Sequence, residues 1–169
     1  IALSSEGVCL WFRNFSQKNN LRDLSPVVLL DIDTKNIDIS FYHREKLIFT
    51  RSVAFLAADL NSAKLDSLVE EFRKTFATLQ RDQVVSEIGK IYIASAAPES
   101  SLLADKLRQE FPCAIELVNP LREISFEKGL MVPPVLHQGN CSGSAILGLV
   151  LGAEQEGIGP LFHPDRRAG

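Results

Sequence analysis

Hydrophobic and polar positions follow three distinct patterns between residues 27 and 53, and together these patterns predict a three-stranded antiparallel meander. Residues 27–30 form a continuous apolar run, which is typical of a strand covered on both faces. Residues 37–42 alternate between apolar and polar side chains, which predicts an antiparallel neighbour with one buried face. The polar residues 43–46 then predict a turn, and residues 47–53 predict the returning third strand.

Helical spacing and short apolar runs predict the remaining elements. Apolar residues from Leu65 to Leu79 recur at intervals of three and four, which predicts a long amphipathic helix with Asp59, Asn61 and Ser62 as candidate N-caps. The predicted elements, in chain order, are a strand end at 1–3, a short buried helix ending near 14, a loop at 16–26, the three strands of the meander, a helix at 65–79, a strand at 90–95, a helix from 98 to 111, a strand at 114–118 and a helix at 144–151. This β-α-βββ-α-β-α-β-α order predicts an α/β fold with a mixed sheet and helices on both faces.

Composition and charge narrow the classes of function. With 169 residues, 46% of them hydrophobic, the chain is long enough to bury a core, as one domain or as a large part of a longer protein. Its formal net charge is −3 and its basic residues are scattered, so we expect no nucleic-acid binding. No apolar run approaches the roughly 20 residues that a membrane helix needs, so we expect no direct membrane insertion.

The first residue and the cysteines bear on the origin and location of the chain. The sequence begins at Ile1 rather than at a methionine and shows no basic segment typical of a signal peptide, so we interpret it as an excised fragment. Cys9, Cys113 and Cys141 lie far apart without C-x-x-C spacing, which favours reduced thiols over a disulfide or zinc framework. We therefore expect a cytoplasmic protein that has no metal site.

The most distinctive polar residues follow the first strand of the meander. Asp31, Asp33 and Thr34 form an acid-x-acid-Thr sequence at the end of that strand. This sequence resembles the phosphate-facing hairpin of the actin-like ATPase superfamily, which usually reads Asp-x-Gly-x-x-x-Thr. The glycine in that family lets the backbone approach a phosphate, because any Cβ would intrude. Here Asp33 stands at the glycine position, so a negative side chain lies where a phosphate would come closest.

Three further features resemble the PilM family, the actin-like proteins of the type IV pilus assembly platform. They are the βββαβα order, the Val118-Asn119-Pro120-Leu121 sequence and the small-residue helix that begins at Ser144. The cytoplasmic domain of the GspL proteins of type II secretion is similar. The resemblance implies that residues 1–152 form an actin-like ATPase subdomain with a ribonuclease H-like fold, corresponding to the C-terminal half of a PilM-like protein. Residues 153–169 are then a C-terminal tail.

A second departure from the nucleotide-binding pattern lies after the strand at 90–95. Nucleotide-binding members of the family carry adjacent glycines there, where ribose and base lie against the backbone, but residues 94–98 of this chain read Ala-Ser-Ala-Ala-Pro. The resemblance therefore implies a degenerate nucleotide site formed by Asp31, Asp33, Thr34, Ser95 and Ala96. We expect no catalytic residue and no cofactor, with a PilM-type ATPase that binds ATP and Mg²⁺ as the alternative.

A metal-dependent nuclease of the ribonuclease H type is a further alternative. That class shares the sheet topology and places a catalytic aspartate on the first strand, where Asp31 lies. Two-metal chemistry requires several carboxylates that converge on the metal ions, and Glu87 or Asp105 could join Asp31. Neither spacing is diagnostic of such a site.

The tail resembles the short cytoplasmic motif of the PilN family, which binds in a cleft of PilM. The matching residues are Ile158, Leu161, Phe162, Pro164, Asp165 and Arg166, although one residue more than the motif allows separates Phe162 from Pro164. The resemblance implies a protein-docking segment that acts within its own chain or on a neighbour. The expected function is a non-catalytic scaffold at the cytoplasmic face of the inner membrane, with protein partners in a pilus or secretion platform.

Overall fold

The computed structural model describes residues 2–21, 26–120 and 143–144. Its elements are helix α1 (Ala2–Lys18), strands β1 (Val27–Ile32), β2 (Asn36–His43) and β3 (Lys46–Ala54), a 3₁₀ helix (Ala57–Asn61), helix α2 (Lys64–Arg81), strand β4 (Lys90–Ala94), helix α3 (Ser100–Glu110) and strand β5 (Ala114–Val118). The strands form one five-stranded sheet in the order β3-β2-β1-β4-β5. The central strand β1 is antiparallel to β2 and parallel to β4, which confirms the predicted mixed sheet.

The start of the chain differs from the prediction. A strand end at residues 1–3 is wrong, because residues 2 and 3 belong to α1, and the helix runs one turn beyond Asn14. Val8, Trp11, Phe12 and Phe15 fall on one helical stripe and are all buried, so burial of Phe15 extends the helix into the predicted loop. The helix ends where Asn19 donates its backbone N–H to the Phe15 carbonyl and the following residue takes a φ of 54°.

Helices cover both faces of the sheet, as the sequence predicts. On the α2 face, α2 and α3 pack on Ile37, Ile39 and Phe41 of β2 and on apolar residues of β1 and β4. On the α1 face, the stripe of α1 packs on Val27, Leu29, Tyr42, Tyr92 and Ala94. The alternation in residues 37–42 therefore divides β2 between two separate apolar cores.

The predicted turn between β2 and β3 is confirmed, because Arg44 and Glu45 connect the strands with positive φ angles of 48° and 63°, the backbone of a two-residue hairpin turn. The predicted N-cap of α2 is wrong: the N-cap is Ala63, which makes no side-chain cap hydrogen bond. Of the three candidates, Ser62 precedes the N-cap, and its hydroxyl accepts the Lys64 backbone N–H at 3.2 Å. Asp59 instead pairs with the ammonium group of Lys64 at 2.8 Å.

The second half of the sheet also follows the prediction. Strands β4 and β5 are parallel and joined by α3, whose buried residues Leu103, Ala104 and Leu107 pack on the sheet. The predicted last helix at 144–151 lies outside the described residues except for Ser144, and the predicted tail lies wholly outside them. Across the described residues, no helix is both long and apolar enough to span a membrane.

Candidate functional site

The parallel strands β1 and β4 bring the predicted site residues to one end of the sheet. Asp31 is in register with Ala94, so the segments that follow both strands leave the sheet side by side. Asp33 and Thr34 lie in the turn after β1, and Ser95 begins the loop after β4. We call this region the carboxyl end of the sheet. In open α/β sheets, ligands bind outside the carboxyl ends of parallel strands.

Asp31 is a buried residue of the central strand rather than an open ligand. Its side chain is 4% exposed and lies on the α1 face of the sheet. One carboxylate oxygen accepts a hydrogen bond from the Ser144 hydroxyl at 2.7 Å. Asp38 of β2 is directly opposite in the antiparallel ladder and is half-buried. The structure thus gives Asp31 a partner within its own chain.

The turn between β1 and β2 is closed by its own polar groups. The Asp33 backbone N–H donates to the Asn36 carbonyl at 2.9 Å, and the Thr34 backbone N–H donates to the Asp33 carboxylate at 2.6 Å. Both side chains are exposed, and no residue from 31 to 36 has a positive φ. The Asp33 carboxylate therefore already accepts a hydrogen bond from the Thr34 backbone N–H, and backbone N–H groups of this kind bind phosphate in other proteins.

The loop after β4 is closed in a similar way. The Ser95 hydroxyl accepts the Ala97 backbone N–H at 3.0 Å, while the Ser95 backbone N–H donates to the Val118 carbonyl of β5 at 3.0 Å. The Ala97 carbonyl accepts the Ser100 hydroxyl at 2.5 Å at the start of α3. Ala97 is only 4% exposed, so its methyl group fills space that a glycine would leave open.

An open cleft of about 590 Å³ lies beside this loop, at the carboxyl ends of β4 and β5. Its walls are Phe15 of α1, residues 95–98 with Ser100, and residues 116–119. Ser95 and Ala96 were predicted as site residues, whereas Phe15 and the end of β5 were missed. Phe15 was missed because the predicted first helix stopped before it; its position on the helical stripe could have identified it.

Glu116, an acidic residue of the cleft wall, is paired. Glu116 lies 2.6 Å from the ammonium group of Lys90, which also sits 4.6 Å from the centre of the Tyr92 ring. Burial lowers the pKa of Lys90, but the hydrogen bonds with Glu116 and Tyr92 outweigh burial and leave the pKa raised. The Glu116 carboxylate is therefore partly neutralised by Lys90, which lies outside the cleft.

The carboxylates considered for nuclease chemistry do not converge. Glu87 precedes β4 and therefore lies at the amino end of that strand, opposite the carboxyl end that holds Asp31. Asp105 lies on α3, on the α2 face, and pairs with Arg108 at 2.7 Å. In residues 2–21, 26–120 and 143–144, no three acidic, histidine or cysteine side chains are placed to hold one metal ion.

Comparison with known proteins shows similarity in structure but not in sequence. No protein-family model matches the chain, and no curated protein matches it significantly. A solved structure described as a PilM-PilN type IV pilus biogenesis complex matches with a TM-score of 0.55 and 17% identity, over 90% of this chain and 52% of that chain. The chain thus spans about half the length of its match.

A second solved structure is a Bacteroides thetaiotaomicron protein of actin-like ATPase fold and unknown function. It matches with a TM-score of 0.47 and 15% identity over 69% of this chain and 40% of that one. The chain has the predicted mixed α/β architecture and shares its fold with the matched part of the PilM-PilN structure.

Proposed function

We propose that this chain is a non-catalytic actin-like scaffold that docks protein partners of a type IV pilus or secretion platform on the cytoplasmic side of the inner membrane. The observation that carries the proposal is the hydrogen bond from the Thr34 backbone N–H to the Asp33 carboxylate. A phosphate brought to this turn would meet an anion instead of a free donor, and the two charges would repel each other.

Two further contacts support the absence of a working nucleotide site. The Asp31 carboxylate is buried and accepts the Ser144 hydroxyl, so a cation bound there would compete with this hydrogen bond. The Ser95 hydroxyl and the Ala97 methyl group close the second loop, where a nucleoside would need bare backbone. The turn after β1 and the loop after β4 thus form their hydrogen bonds within the chain, without a ligand.

Thermal unfolding with and without ATP and Mg²⁺ tests this proposal. We expect the melting temperature to change by less than about 1 °C at millimolar nucleotide. A ligand present at 100 times its Kd would add about 2.7 kcal/mol, or roughly 5–10 °C for a chain of this size. A rise of that size in the wild-type chain would contradict the proposal and favour the ATPase alternative.

Two substitutions at Asp33 separate the effect of its negative charge on nucleotide binding from the effect of its Cβ, in the same assay. Asp33→Asn removes the negative charge and keeps the Cβ, whereas Asp33→Gly removes both. If nucleotide stabilises both Asp33→Asn and Asp33→Gly but not the wild type, the negative charge blocks the turn. If nucleotide stabilises only Asp33→Gly, the Cβ blocks it, and if neither variant responds, Asp33 is not what excludes nucleotide.

The partner side of the proposal rests on the tail and on the PilM-PilN likeness. An extended segment with apolar anchors and a proline loses little conformational entropy when it binds in a groove. We propose that residues 158–166 form such a segment, which binds its own domain or a neighbouring copy. The apolar anchors are Ile158, Leu161 and Phe162, with Pro164, Asp165 and Arg166 following them.

Truncation of two anchors tests the tail. The double variant Leu161→Ala with Phe162→Ala should lower the melting temperature by several degrees or dissociate a dimer, because two apolar contacts are removed together. Thermal unfolding and light scattering measure the two effects. The matched control is Glu154→Ala with Gln155→Ala, which alters polar residues of the same tail and should change neither. An unchanged melting temperature and an unchanged mass for the Leu161 and Phe162 variant would exclude docking by the tail.

A further inference from the structure

Strand β5 forms one edge of the sheet and presents backbone groups to its outer side. The Ser95 backbone N–H donates to the Val118 carbonyl at 3.0 Å, so Val118 directs its backbone toward β4. The N–H and C=O of one residue point to the same side of a strand, and that side alternates along the strand. Glu116 therefore also pairs with β4, whereas Ile115 and Leu117 direct their backbone groups outward. Within the part of the chain that the structure describes, no strand pairs with this outer side.

One outward carbonyl of β5 is covered by a side chain. Arg108 of α3 donates to the Ile115 carbonyl at 3.2 Å, while its other terminal nitrogen pairs with Asp105 at 2.7 Å. Because β4 occupies the inner side of β5, this contact agrees with an outward Ile115 carbonyl. Arg108 is half-exposed, so its hydrogen bond competes with water and contributes little to stability.

The side chains of β5 form an apolar row on one face and an acidic position on the other. Ile115 and Leu117 lie on the α2 face, and Leu117 is 42% exposed. Glu116 lies between them on the α1 face, and half of its side chain stays exposed beside its ion pair with Lys90. On an added strand, the residue opposite Glu116 would lie on the α1 face and its two neighbours on the α2 face. Cross-strand pairs favour opposite charges and matched apolar side chains, so the edge fits a strand with an apolar, basic, apolar sequence.

A second copy of β5 fits this edge poorly. If two β5 strands paired in antiparallel fashion with Ile115 opposite Leu117, each Glu116 would lie opposite the other. Like charges directly opposite each other destabilise a sheet. Lys90 offsets only part of this repulsion, because it belongs to β4 on the inner side of β5. A basic residue at the same position would attract the carboxylate, so the edge favours a different strand over a second copy.

The opposite edge of the sheet is built differently. Strand β3 carries Lys46 and Arg51, and its pairing with β2 shifts in register between Phe41 and Tyr42. Basic side chains and bulges on an edge strand oppose the addition of another strand. The two edges therefore differ, and β5 is the one suited to accept a strand.

We propose that the outer edge of β5 is a docking site for an extended segment of a partner protein with an apolar, basic, apolar sequence, which joins the sheet in exchange for the Arg108 hydrogen bond. The segment pairs with the backbone groups of Ile115 and Leu117 and places its basic residue opposite Glu116. Strand addition of this kind draws affinity from main-chain hydrogen bonds and specificity from alternate side chains. The inference rests on the geometry of β5 and does not depend on the proposed scaffold function.

Hydrogen exchange of the full chain, measured at single amides by NMR, tests the site with the synthetic peptide Thr-Thr-Val-Lys-Val-Thr-Thr. When about nine-tenths of the chain is bound, the amides of Ile115 and Leu117 should exchange about tenfold more slowly, because exchange then requires dissociation. The amides of β3 are the internal reference and should not change. No slowing at Ile115 and Leu117 at millimolar peptide would overturn the proposal. Slowing that appears without peptide and grows with protein concentration would also overturn it, because a second copy would then cover the edge.

Matched peptides test the chemistry of the partner. Glutamate in place of the central lysine should weaken binding about fivefold, and Glu116→Gln should remove most of that difference. Methylation of both valine amide nitrogens removes the main-chain donors and should abolish binding. Equal affinities of the wild type for the lysine and glutamate peptides would overturn the basic partner, and binding of the methylated peptide would overturn strand addition.

The exchange with Arg108 has its own variant. Arg108→Ala uncovers the Ile115 carbonyl and should tighten binding about threefold, because the peptide no longer displaces a donor. The measurement uses a neutral peptide with threonine in place of the central lysine, so that the lost positive charge does not itself change the affinity. Arg81→Ala, which removes an exposed arginine at the end of α2, is the control and should leave the affinity unchanged. Equal affinities of Arg108→Ala and the wild type would overturn the exchange.

Discussion

Replacing Trp11 with alanine should lower the free energy of unfolding by about 3–5 kcal/mol, the range for truncating a large buried aromatic side chain. Trp11 is 1% exposed and stacks on Phe15 at 5.5 Å between ring centres. It belongs to the core on the α1 face, to which α1 contributes Trp11, Phe12 and Phe15. Loss of the indole would leave a cavity in the centre of that core.

Trp11→Phe should cost much less, under about 1.5 kcal/mol, for a reason specific to this site. The indole N–H of Trp11 is buried and has no hydrogen-bond partner in the described part of the chain. Phenylalanine keeps an aromatic ring and removes a donor whose desolvation is uncompensated, a penalty of about 1–3 kcal/mol. Urea denaturation followed by far-ultraviolet circular dichroism measures both variants. Equal losses for alanine and phenylalanine would show that the N–H is satisfied in solution.

Phe72→Ala should be about as destabilising on the opposite face, again by about 3–5 kcal/mol. Phe72 of α2 is 1% exposed, with its ring centre 4.9 Å from that of Phe111 in an edge-to-face arrangement and 6.2 Å from that of Phe41. Its removal would take away the most buried of the aromatic contacts that join α2 to β2 and to the end of α3. The same urea denaturation experiment measures the loss.

Phe76→Ala is the matched control for Phe72→Ala. Phe76 lies one turn later on α2 and meets the same two rings, at 6.5 Å from Phe41 and 6.1 Å from Phe111, but it is only half-buried. Because less apolar area leaves water at this position, we expect roughly half the loss found for Phe72→Ala. Equal losses at both positions would mean that burial does not decide the energetics of this helix.

The regular elements of the fold could be predicted because their signals are local. The alternation of residues 37–42, the stripe from Leu65 to Leu79 and the run at 114–118 each follow from side-chain periodicity. The first helix was predicted too short because Asn14 and the polar residues after Phe15 suggested a loop. Tertiary burial of Phe15 overrode that local preference.

The site could be predicted only in outline. The acidic turn and the glycine-free loop were visible in the sequence, and the parallel pairing of β1 with β4 places both at the same end of the sheet. The partner of Asp31 was not visible, because Ser144 lies 113 residues away and no local pattern links the two. Contacts of this kind depend on tertiary structure, and periodicity carries no information about them.

The pairing of the central strand also bears on how the chain folds. Strand β1 meets β2 across a short turn, and β2 meets β3 through the two-residue hairpin at Arg44 and Glu45, so this side of the sheet closes only small loops. The other edge of β1 pairs with β4, which follows α2 in the sequence and is therefore synthesised after it. The entropy lost in closing a loop grows with the logarithm of its length. The meander is therefore the part that can form early, and during synthesis β1 leaves one row of backbone hydrogen-bonding groups open until β4 arrives.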